Sequence, residues 1–419
     1  MAINWKKILL LLGFLAAIVG IGYLLYFLFF RPSLPPVGTN ANTNAQPGVL
    51  PGTGLNANIP VAVNGGLLPP GAEVQIPTAP VAVSPTTPIA SPIAAGGLTQ
   101  TTALTNVGAY GATLSGDGKS MLYYDRNSGL FYRIDSAGNL TPLTDRIFYQ
   151  VEKITWAPNK EQAVLEYPDG ANIVYNFATD KQVTVPSHWK DFDFAPNSTQ
   201  LVLKSMGQTR EDRWLAVSNA DGSGAKKIEL LGEKDATVYP SWSPNDQIIA
   251  MYTEDKDLDQ QNLFFVGLNQ ENFKLAIIEG RGFEPQWSPE GDKLLYSTYS
   301  SDNGYRPSLS IMSAQGDSIG QNRRSLKLDT WAEKCNFFDN DTVYCAVPQS
   351  LEEGAGIYKD QMDSAPTDIY KIDLQTGFKS KVATPDGNHN IQNLTVSSDG
   401  RYLYFVDKND GRLFKINLR

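Results

Sequence analysis

The stretch that decides the fold is Trp287-Ser-Pro-Glu-Gly-Asp-Lys-Leu-Leu-Tyr296, which reads as the end of one β-strand, a tight polar turn and a second strand. The proline fixes φ at the first corner of the turn, and the glycine supplies the positive φ that reverses the chain. The aromatic residue before the turn is expected to point into a core. The pattern therefore predicts a β-hairpin with an aromatic anchor.

This hairpin pattern recurs at seven places along the chain. Its copies begin at Leu114, Trp156, Phe194, Trp242, Trp287, Phe337 and Val396. Successive copies start 42, 38, 48, 45, 50 and 59 residues apart, which suits four-stranded propeller blades. Each hairpin is followed by a third apolar strand and a polar turn toward a fourth. We therefore expect an all-β, seven-bladed β-propeller over residues 101–419.

The ring is expected to close through its N-terminal strand. The last copy reaches Arg419 immediately after its third strand and therefore lacks a fourth. Thr101-Thr-Ala-Leu-Thr105 resembles the ends of other blades, such as Thr141-Pro-Leu-Thr144, and directly precedes the first hairpin. If this strand completes the last blade, no sheet edge in the ring stays open.

Residues 8–30 form an uncharged apolar run that is long enough to span a bilayer as a helix. Lys6 and Lys7 precede the run, Arg31 follows it, and the next cation is Lys119. This charge bias places residues 1–7 in the cytoplasm and the rest of the chain outside. A cleaved signal peptide is the competing interpretation, but its apolar region would be shorter, about 7 to 15 residues, and a small-residue cleavage site should follow.

The segment 31–100 is predicted to be a disordered linker. Residues 32–100 hold 13 of the 26 prolines of the chain, and Glu73 is their only charged residue. Such a composition cannot bury enough apolar surface to offset the entropy of ordering. The linker would hold the propeller away from the membrane.

Composition limits the function classes. The formal net charge is −9 at pH 7, and no run of Lys and Arg exceeds two residues, which argues against nucleic-acid binding. The presence of only two histidines and two cysteines argues against a His/Cys metal site, and we expect no cofactor. Cys335 and Cys345 lie symmetrically about Asn340 in the sixth hairpin, where they would face each other across two strands. A disulfide is favoured over two free thiols if this domain lies outside the cytoplasm.

Two short motifs could carry chemistry. Gly316-Asp-Ser-Ile-Gly320 fits the Gly-x-Ser-x-Gly pattern of a nucleophile, but Ser318 would lie in a turn between strands rather than between a strand and a helix. Asp255, Asp257 and Asp259 mimic the first half of a calcium loop, which lacks the glycine and glutamate of the second half. Both are interpreted as turns, and no catalytic set is expected.

The connections between second and third strands differ along the chain. They are predicted to be short in blades 1, 2 and 7 and longer in blades 3 to 6, where they would form a rim on one face. The rim candidates are Arg210, Arg213, Asp255, Asp257, Asp259, Tyr299, Tyr305, Arg306, Glu352, Glu353 and Tyr358. Aromatic residues and arginine among polar loops are typical of a protein-binding surface. Loop drift without a function is the alternative.

The repeated hairpins, with Trp242-Ser-Pro-Asn-Asp and Trp287-Ser-Pro-Glu-Gly as the clearest, resemble the WD-like propeller repeats of the TolB type. The resemblance covers residues from about 101 to 419. It implies a β-propeller that is exposed to the periplasm or cell exterior and acts through protein contacts. Seven copies rather than six, and an anchor in place of a cleaved signal, depart from the TolB pattern.

Together these features predict a single-pass membrane protein that displays an extracytoplasmic propeller as an interaction or scaffold module of the cell envelope. Its expected partners are envelope proteins, with the membrane contacted through residues 8–30. The alternative from another class is an extracytoplasmic enzyme, or a propeller that binds a glycan or other ligand, through the central channel or the rim. Facing carboxylates and a perturbed pKa in the channel would favour that alternative.

Overall fold

The computed structural model describes Gly20 and residues 89–419. Residues 89–419 form seven separate sheets, each containing four antiparallel strands in radial order. These sheets are the blades of a propeller, so the predicted all-β, seven-bladed fold is confirmed. The predicted membrane span at 8–30, except Gly20, and the linker residues 31–88 lie outside the described part of the chain.

The first strand of each blade is the innermost and the fourth is the outermost. Blade 1 contains β3 (Tyr110–Leu114), β4 (Met121–Asp125), β5 (Leu130–Ile134) and β6 (Leu140–Pro142). Blade 2 contains β7 (Lys153–Trp156), β8 (Gln162–Glu166), β9 (Asn172–Asn176) and β10 (Lys181–Val185). Blade 3 contains β11 (Trp189–Phe194), β12 (Gln200–Met206), β13 (Arg213–Asn219) and β14 (Lys226–Leu230). Blade 4 contains β15 (Val238–Pro240), β16 (Ala250–Asp255), β17 (Gln260–Val266) and β18 (Ala276–Glu279).

The remaining blades follow the same order. Blade 5 contains β19 (Arg281–Trp287), β20 (Lys293–Tyr299), β21 (Pro307–Ser313) and β22 (Arg324–Ser325). Blade 6 contains β23 (Cys335–Phe337), β24 (Thr342–Pro348), β25 (Thr367–Asp373) and β26 (Lys379–Pro385). Blade 7 contains β27 (Ile391–Val396), β28 (Tyr402–Asp407), β29 (Arg412–Asn417) and β2 (Thr102–Gly108). A one-turn α-helix covers Lys359–Met362 in the long loop of blade 6.

The N-terminal strand completes the last blade. Strand β2 pairs antiparallel with β29, with Thr102 opposite Lys415 and Ala103 opposite Phe414. The Thr105 hydroxyl accepts a hydrogen bond of 3.0 Å from the backbone N–H of Leu413. The predicted closure of the ring is therefore present, and both ends of the propeller sequence share one sheet.

The ordered part of the chain begins earlier than the predicted boundary at residue 101. Strand β1 (Leu98–Thr99) pairs parallel with the end of β26 and adds a fifth strand to the sheet of blade 6. The Ala94 backbone N–H also donates to the Asn417 carbonyl at 2.9 Å. The correction has a simple physical cause, because the edge of β26 offers unpaired backbone groups that composition alone does not reveal.

The core is divided into seven apolar clusters, one at each contact between neighbouring blades. The cluster between blades 7 and 1 contains Met121 and Tyr123 from one blade and Tyr404 and Val406 from the other. Because this cluster joins the first and last blades, apolar packing runs around the whole ring. Burial of this kind of surface is the main driving force for assembly of the blades.

The aromatic anchors before the turns do more than fill these clusters. The indole N–H of Trp156 donates to the Gly111 carbonyl of blade 1 at 2.8 Å. The indole N–H of Trp287 likewise donates to the Ser241 hydroxyl at the end of the innermost strand of blade 4, at 3.0 Å. Each of these anchors therefore fixes its blade to the inner strand of the blade before it.

None of the helices that the structure describes is long and apolar enough to cross a membrane.

Candidate interaction surface and central channel

The loops between second and third strands lie on one face of the ring. They span residues 300–306 in blade 5 and 349–366 in blade 6, but only 256–259 in blade 4. The expected lengthening is therefore wrong for blade 4, where β16 and β17 continue further than the sequence indicated. Its connection resembles the short ones of blades 1, 2 and 7, because Asp255 and Gln260 on either side of it belong to the strands.

The three aspartates of blade 4 are tied to neighbouring groups. The Asp255 carboxylate forms an ion pair with Arg281, which also donates to the Asp257 backbone carbonyl. The Asp259 carboxylate accepts bonds of 3.2 and 2.9 Å from the backbone N–H and hydroxyl of Ser301 in blade 5. The three carboxylates thus do not converge. Across residues 89–419, no group of three or more His, Cys, Asp or Glu side chains is placed to hold a metal ion.

Hydrogen bonds to backbone carbonyls join the loops of blades 5 and 6. The Gly356 N–H donates to the Tyr305 carbonyl at 2.7 Å, and the Arg306 guanidinium donates to the Leu351 carbonyl at 2.9 Å. Because Asp259 connects blade 4 to blade 5, the three connections form one surface. We call this surface the ridge, and it comprises residues 255–259, 300–306 and 349–358.

Most of the predicted rim residues lie on the ridge. These are Asp255, Asp257, Asp259, Tyr305, Arg306, Glu352, Glu353 and Tyr358. Tyr299 instead lies below it and is only partly exposed; its ring occupies the space that a Cβ atom at Gly282 or Gly356 would need. Tyr299 therefore supports the ridge from beneath.

Arg210 and Arg213 belong to blade 3 and stand apart from the ridge. Arg210 pairs with Glu233 at 2.8 Å and Arg213 with Asp235 at 3.6 Å, so both arginines bind the connection that leads to blade 4. Their charges are engaged within their own neighbourhood. The sequence grouped them with the rim because their loop emerges on the same face.

The ridge exposes large apolar side chains. Leu258 is 87% exposed, Tyr358 54%, Ile357 45% and Tyr305 38%. Sequence reasoning singled out the two tyrosines and missed Leu258 and Ile357. The signal that could have found them is their position at the tips of polar loops, where an apolar side chain has no core to enter.

The long loop of blade 6 folds inward over the mouth of the channel. The Lys359 ammonium reaches Glu284 of the blade 5 inner strand at 2.6 Å and Glu333 at 2.9 Å. Asp363, after the helix, pairs with Lys334 at 3.0 Å and with Lys408 of blade 7 at 3.1 Å. The loop is therefore held by charges from three blades.

The charged residues at the mouth of the channel have shifted pKa values. Burial raises the pKa of Glu284 above its usual range, although the nearby Lys359 opposes the shift. Burial would lower the pKa of Lys359, but the carboxylates of Glu284 and Glu333 raise it instead. Burial lowers the pKa of Lys334, with Asp363 opposing the shift. No local sequence pattern indicates this cluster, because its members are scattered over one inner strand and three connections.

Two further groups with shifted pKa values belong to the neighbouring blades 2 and 3. Asp193 on β11 accepts the backbone N–H of Trp242 at 2.7 Å, and burial raises its pKa to about 6. Lys160 belongs to the hairpin turn of blade 2; burial lowers its pKa, and the charge of Asp193 opposes that shift. The perturbed amine of Lys160 lines cavities within the channel, and the perturbed carboxyl of Asp193 lies on the inner strand of blade 3. No local sequence pattern indicates either group.

Cys335 and Cys345 form a disulfide in the structure. The two residues are direct cross-strand partners on β23 and β24, with Cα atoms 4.0 Å apart. Both side chains are buried between blades 5 and 6. The bond therefore joins the two inner strands of the blade whose turn lacks proline and glycine.

Ser318 occupies a turn rather than a nucleophile elbow. Residues Gly316–Ser318 form one 3-10 turn between β21 and β22, and the Ser318 hydroxyl donates to the Gln315 carbonyl at 2.6 Å. No histidine is hydrogen-bonded to this hydroxyl within the described residues. The Gly-x-Ser-x-Gly pattern here encodes chain reversal.

No protein-family model and no curated protein matches this sequence. Similar solved structures include an oligogalacturonate lyase in complex with manganese, with a TM-score of 0.49, 14% identity, and coverage of 76% of this chain and 93% of that one. The tricorn protease has a TM-score of 0.49 and 12% identity over 74% of this chain, which spans only 33% of the protease. Hydrazine synthase from Kuenenia stuttgartiensis has a TM-score of 0.47 and 13% identity, covering 75% and 96%. Similarities at these identities and TM-scores give no information about activity. The assignment of a seven-bladed β-propeller rests on the strand pairing of this chain itself.

Proposed function

We propose that this chain is a membrane-anchored, extracytoplasmic β-propeller of the WD-like TolB type that binds a protein partner of the cell envelope through the ridge. The observation that carries the proposal is the set of exposed apolar side chains on the ridge, with Leu258 at 87% and Tyr358 at 54% exposure. Hydrogen bonds between loops hold this surface in place, so little ordering cost would oppose binding.

The charges on the ridge favour a basic partner surface. Its exposed carboxylates are Asp255, Asp257, Asp302, Glu352 and Glu353, and Asp360 lies next to it. Only Asp255 among them is in an ion pair, whereas Lys256 is the one exposed cation within the ridge ranges. Apolar tips among carboxylates suit a partner that offers apolar pockets rimmed by Lys and Arg. The same acidic character is unsuited to nucleic acid.

Two features support the proposed location. The apolar run at 8–30, with its cations on the N-terminal side, favours an anchor whose N-terminus is cytoplasmic. The Cys335–Cys345 disulfide is the kind of bond that persists in oxidising compartments. The linker would carry the propeller away from the bilayer.

A capture experiment with the full chain tests the ridge. Leu258→Ser and Tyr358→Ser are compared with wild type for binding of envelope proteins, and Phe378→Ser serves as the control. Phe378 is 68% exposed in a turn between the third and fourth strands of blade 6, on the opposite face. We expect a partner that the wild type and the control retain, that both ridge variants lose, and whose binding weakens with salt. Equal capture by all four proteins would refute the ridge.

A reporter fusion tests the location. Alkaline phosphatase, which is active only outside the cytoplasm, is fused after Arg419 of the full chain, and a cytoplasmic fluorescent reporter is fused there in parallel. We expect phosphatase activity in the membrane fraction and no fluorescence. The reverse result would place the propeller in the cytoplasm and remove the envelope role.

A further inference from the structure

The innermost strands carry bulges that shape the channel. Register shifts interrupt the pairing of β3, β11, β19 and β27 at their second or third residue. The bulged positions have positive φ and are held by Gly111, Asp191, Gly282 and Asn393. Asp191 and Asn393 are thus non-glycine residues in a conformation that favours glycine. Non-glycine residues with positive φ are uncommon and are concentrated at functional sites. Bulges of this kind re-aim side chains near binding sites.

Lys160 extends from the blade 2 turn into the same channel. It lines two adjoining cavities of about 490 and 510 Å³, and Asn393 of blade 7 lines both as well. Lys160 has a φ of 59° in the turn between the first and second strands of its blade. The same turn position is occupied by Gly291 in blade 5, with a φ of 70°, and by Ser198 in blade 3, with a φ of 62°. Only in blade 2 does this corner place a long cation in the channel lining.

The cavity that Lys160 shares with blades 5, 6 and 7 is polar and contains a single carboxylate. The cavity of about 490 Å³ is lined by Thr113, Gln286, Asn336, Asn393 and Thr395, together with backbone and apolar groups. Its carboxylate, Glu333, is already paired with Lys359 at 2.9 Å. The adjoining cavity is lined by Lys153, which is paired with Asp191 at 3.3 Å, and by the exposed carboxylate Glu152. Within residues 89–419, Lys160 forms no ion pair at 4 Å or less.

The physical situation of Lys160 favours an anionic ligand. Its ammonium is partly desolvated, which lowers its pKa, and Asp193 compensates the charge only from a distance. An anion in contact with the ammonium would recover the lost solvation energy. Because a single lysine supplies one positive charge, a monoanion is matched better than a dianionic phosphate, for which arginine clusters are the usual partners.

We propose that this channel cavity binds a small hydroxylated carboxylate, with the carboxylate at Lys160 and the hydroxyls at the amides and hydroxyls of Asn336, Asn393 and Thr113. The cavity volume lies in the range of small-molecule sites. This cavity is separate from the ridge, so a test of ligand binding here does not depend on whether the ridge binds a protein partner.

Calorimetric titration of the full chain with D-gluconate tests the site, and D-sorbitol, which has the same carbon skeleton without the charge, is the comparator. We expect wild type to bind gluconate at least tenfold more tightly than sorbitol. Lys160→Ser should weaken gluconate binding at least tenfold while leaving sorbitol unchanged. Serine is chosen because Ser198 occupies the same corner in blade 3, so the turn should fold.

Two controls make the result decisive. Lys160→Arg keeps the charge and should retain most of the gluconate affinity. Lys119→Met removes an exposed lysine of the blade 1 hairpin outside the cavity lining and should bind gluconate as wild type does. The proposal would be overturned if Lys160→Ser bound gluconate as tightly as wild type does. It would also be overturned if wild type bound no gluconate at about 100 mM, a concentration far above the 1 mM dissociation constant of a weak complex.

Discussion

The ammonium group of Lys334 lies 3.0 Å from a carboxylate oxygen of Asp363, and the two side chains are 0% and 2% exposed. The same ammonium donates to the Asn390 side chain at 2.7 Å and to the Ile391 carbonyl at 3.0 Å. This pair holds the loop of blade 6 against the channel mouth and against blade 7. Because both groups are removed from water, the pair is costly to break by removing one partner.

We predict that Lys334→Met lowers the free energy of unfolding by about 3 kcal/mol, because it leaves the buried Asp363 carboxylate with only Lys408 as its cation. Urea unfolding measures the change. The double variant Lys334→Met/Asp363→Leu should recover most of the loss, since no buried charge then remains unpaired.

The control for this prediction is an exposed pair. Lys274 and Asp317 are 3.9 Å apart, with side chains 66% and 104% exposed. Lys274→Met should leave the stability nearly unchanged, because exposed ion pairs contribute little. A loss as large as that of Lys334→Met would show that the effect is not specific to burial.

Asp193 should make stability depend on pH. Burial raises its pKa in the folded protein to about 6, against 3.8 as the usual value. Between about pH 4 and 6 the unfolded chain has lost this proton while the folded protein keeps it. The contribution of Asp193 to the free energy of unfolding should therefore fall as pH rises through this window and stay level above it. A pKa shift of one unit corresponds to about 1.4 kcal/mol, so we expect a fall of about 1 to 3 kcal/mol.

Asp193→Asn should remove this part of the pH dependence while keeping an acceptor for the Trp242 N–H. Thermal unfolding of wild type and variant at pH 4 to 7 measures it. The variant should gain stability relative to wild type as the pH increases. Parallel curves for the two proteins would contradict the assigned pKa shift.

Lys160→Gly should stabilise the fold by about 1 kcal/mol. Lys160 has φ of 59°, a conformation in which a non-glycine residue is strained by about that amount and glycine is not. Gly118, Gly291 and Gly400 occupy the matching corners of other blades with φ of 67° to 70°. Urea unfolding measures the gain, and a loss of stability would show that the lysine contributes structural contacts. A gain together with lost gluconate binding would identify a position where binding opposes stability.

The paired replacement Cys335→Ala/Cys345→Ala should reduce the free energy of unfolding by about 2 to 3 kcal/mol, because the disulfide restricts the unfolded chain. The residues are separated by 10 positions, so the closed loop is short and the loss stays moderate. Unfolding of wild type with and without a reducing agent provides the comparison. If reduction has no effect on the wild type but the variant is destabilised, packing of the buried sulfurs rather than the bond accounts for the loss.

The sequence by itself determined the architecture. A proline two residues after Trp156, Trp242 or Trp287, followed by Asn-Lys, Asn-Asp or Glu-Gly, encodes a hairpin through local backbone preferences, and the number of repeats gives the number of blades. The closure by residues after Thr101 could also be predicted, because a missing strand at one end matched a spare strand at the other. The seven observed sheets agree with this count.

Only the tertiary structure decided where the charges meet. Lys334, Asp363 and Lys408 are far apart in the chain, and no local pattern indicates that they converge at the channel mouth. The same holds for Lys160 and Asp193, which approach because the ring brings blades 2 and 3 together. Local sequence specifies turns and strands through short-range sterics, whereas desolvated charge contacts depend on the curvature of the closed ring, the bulges of the inner strands and the path of one long loop.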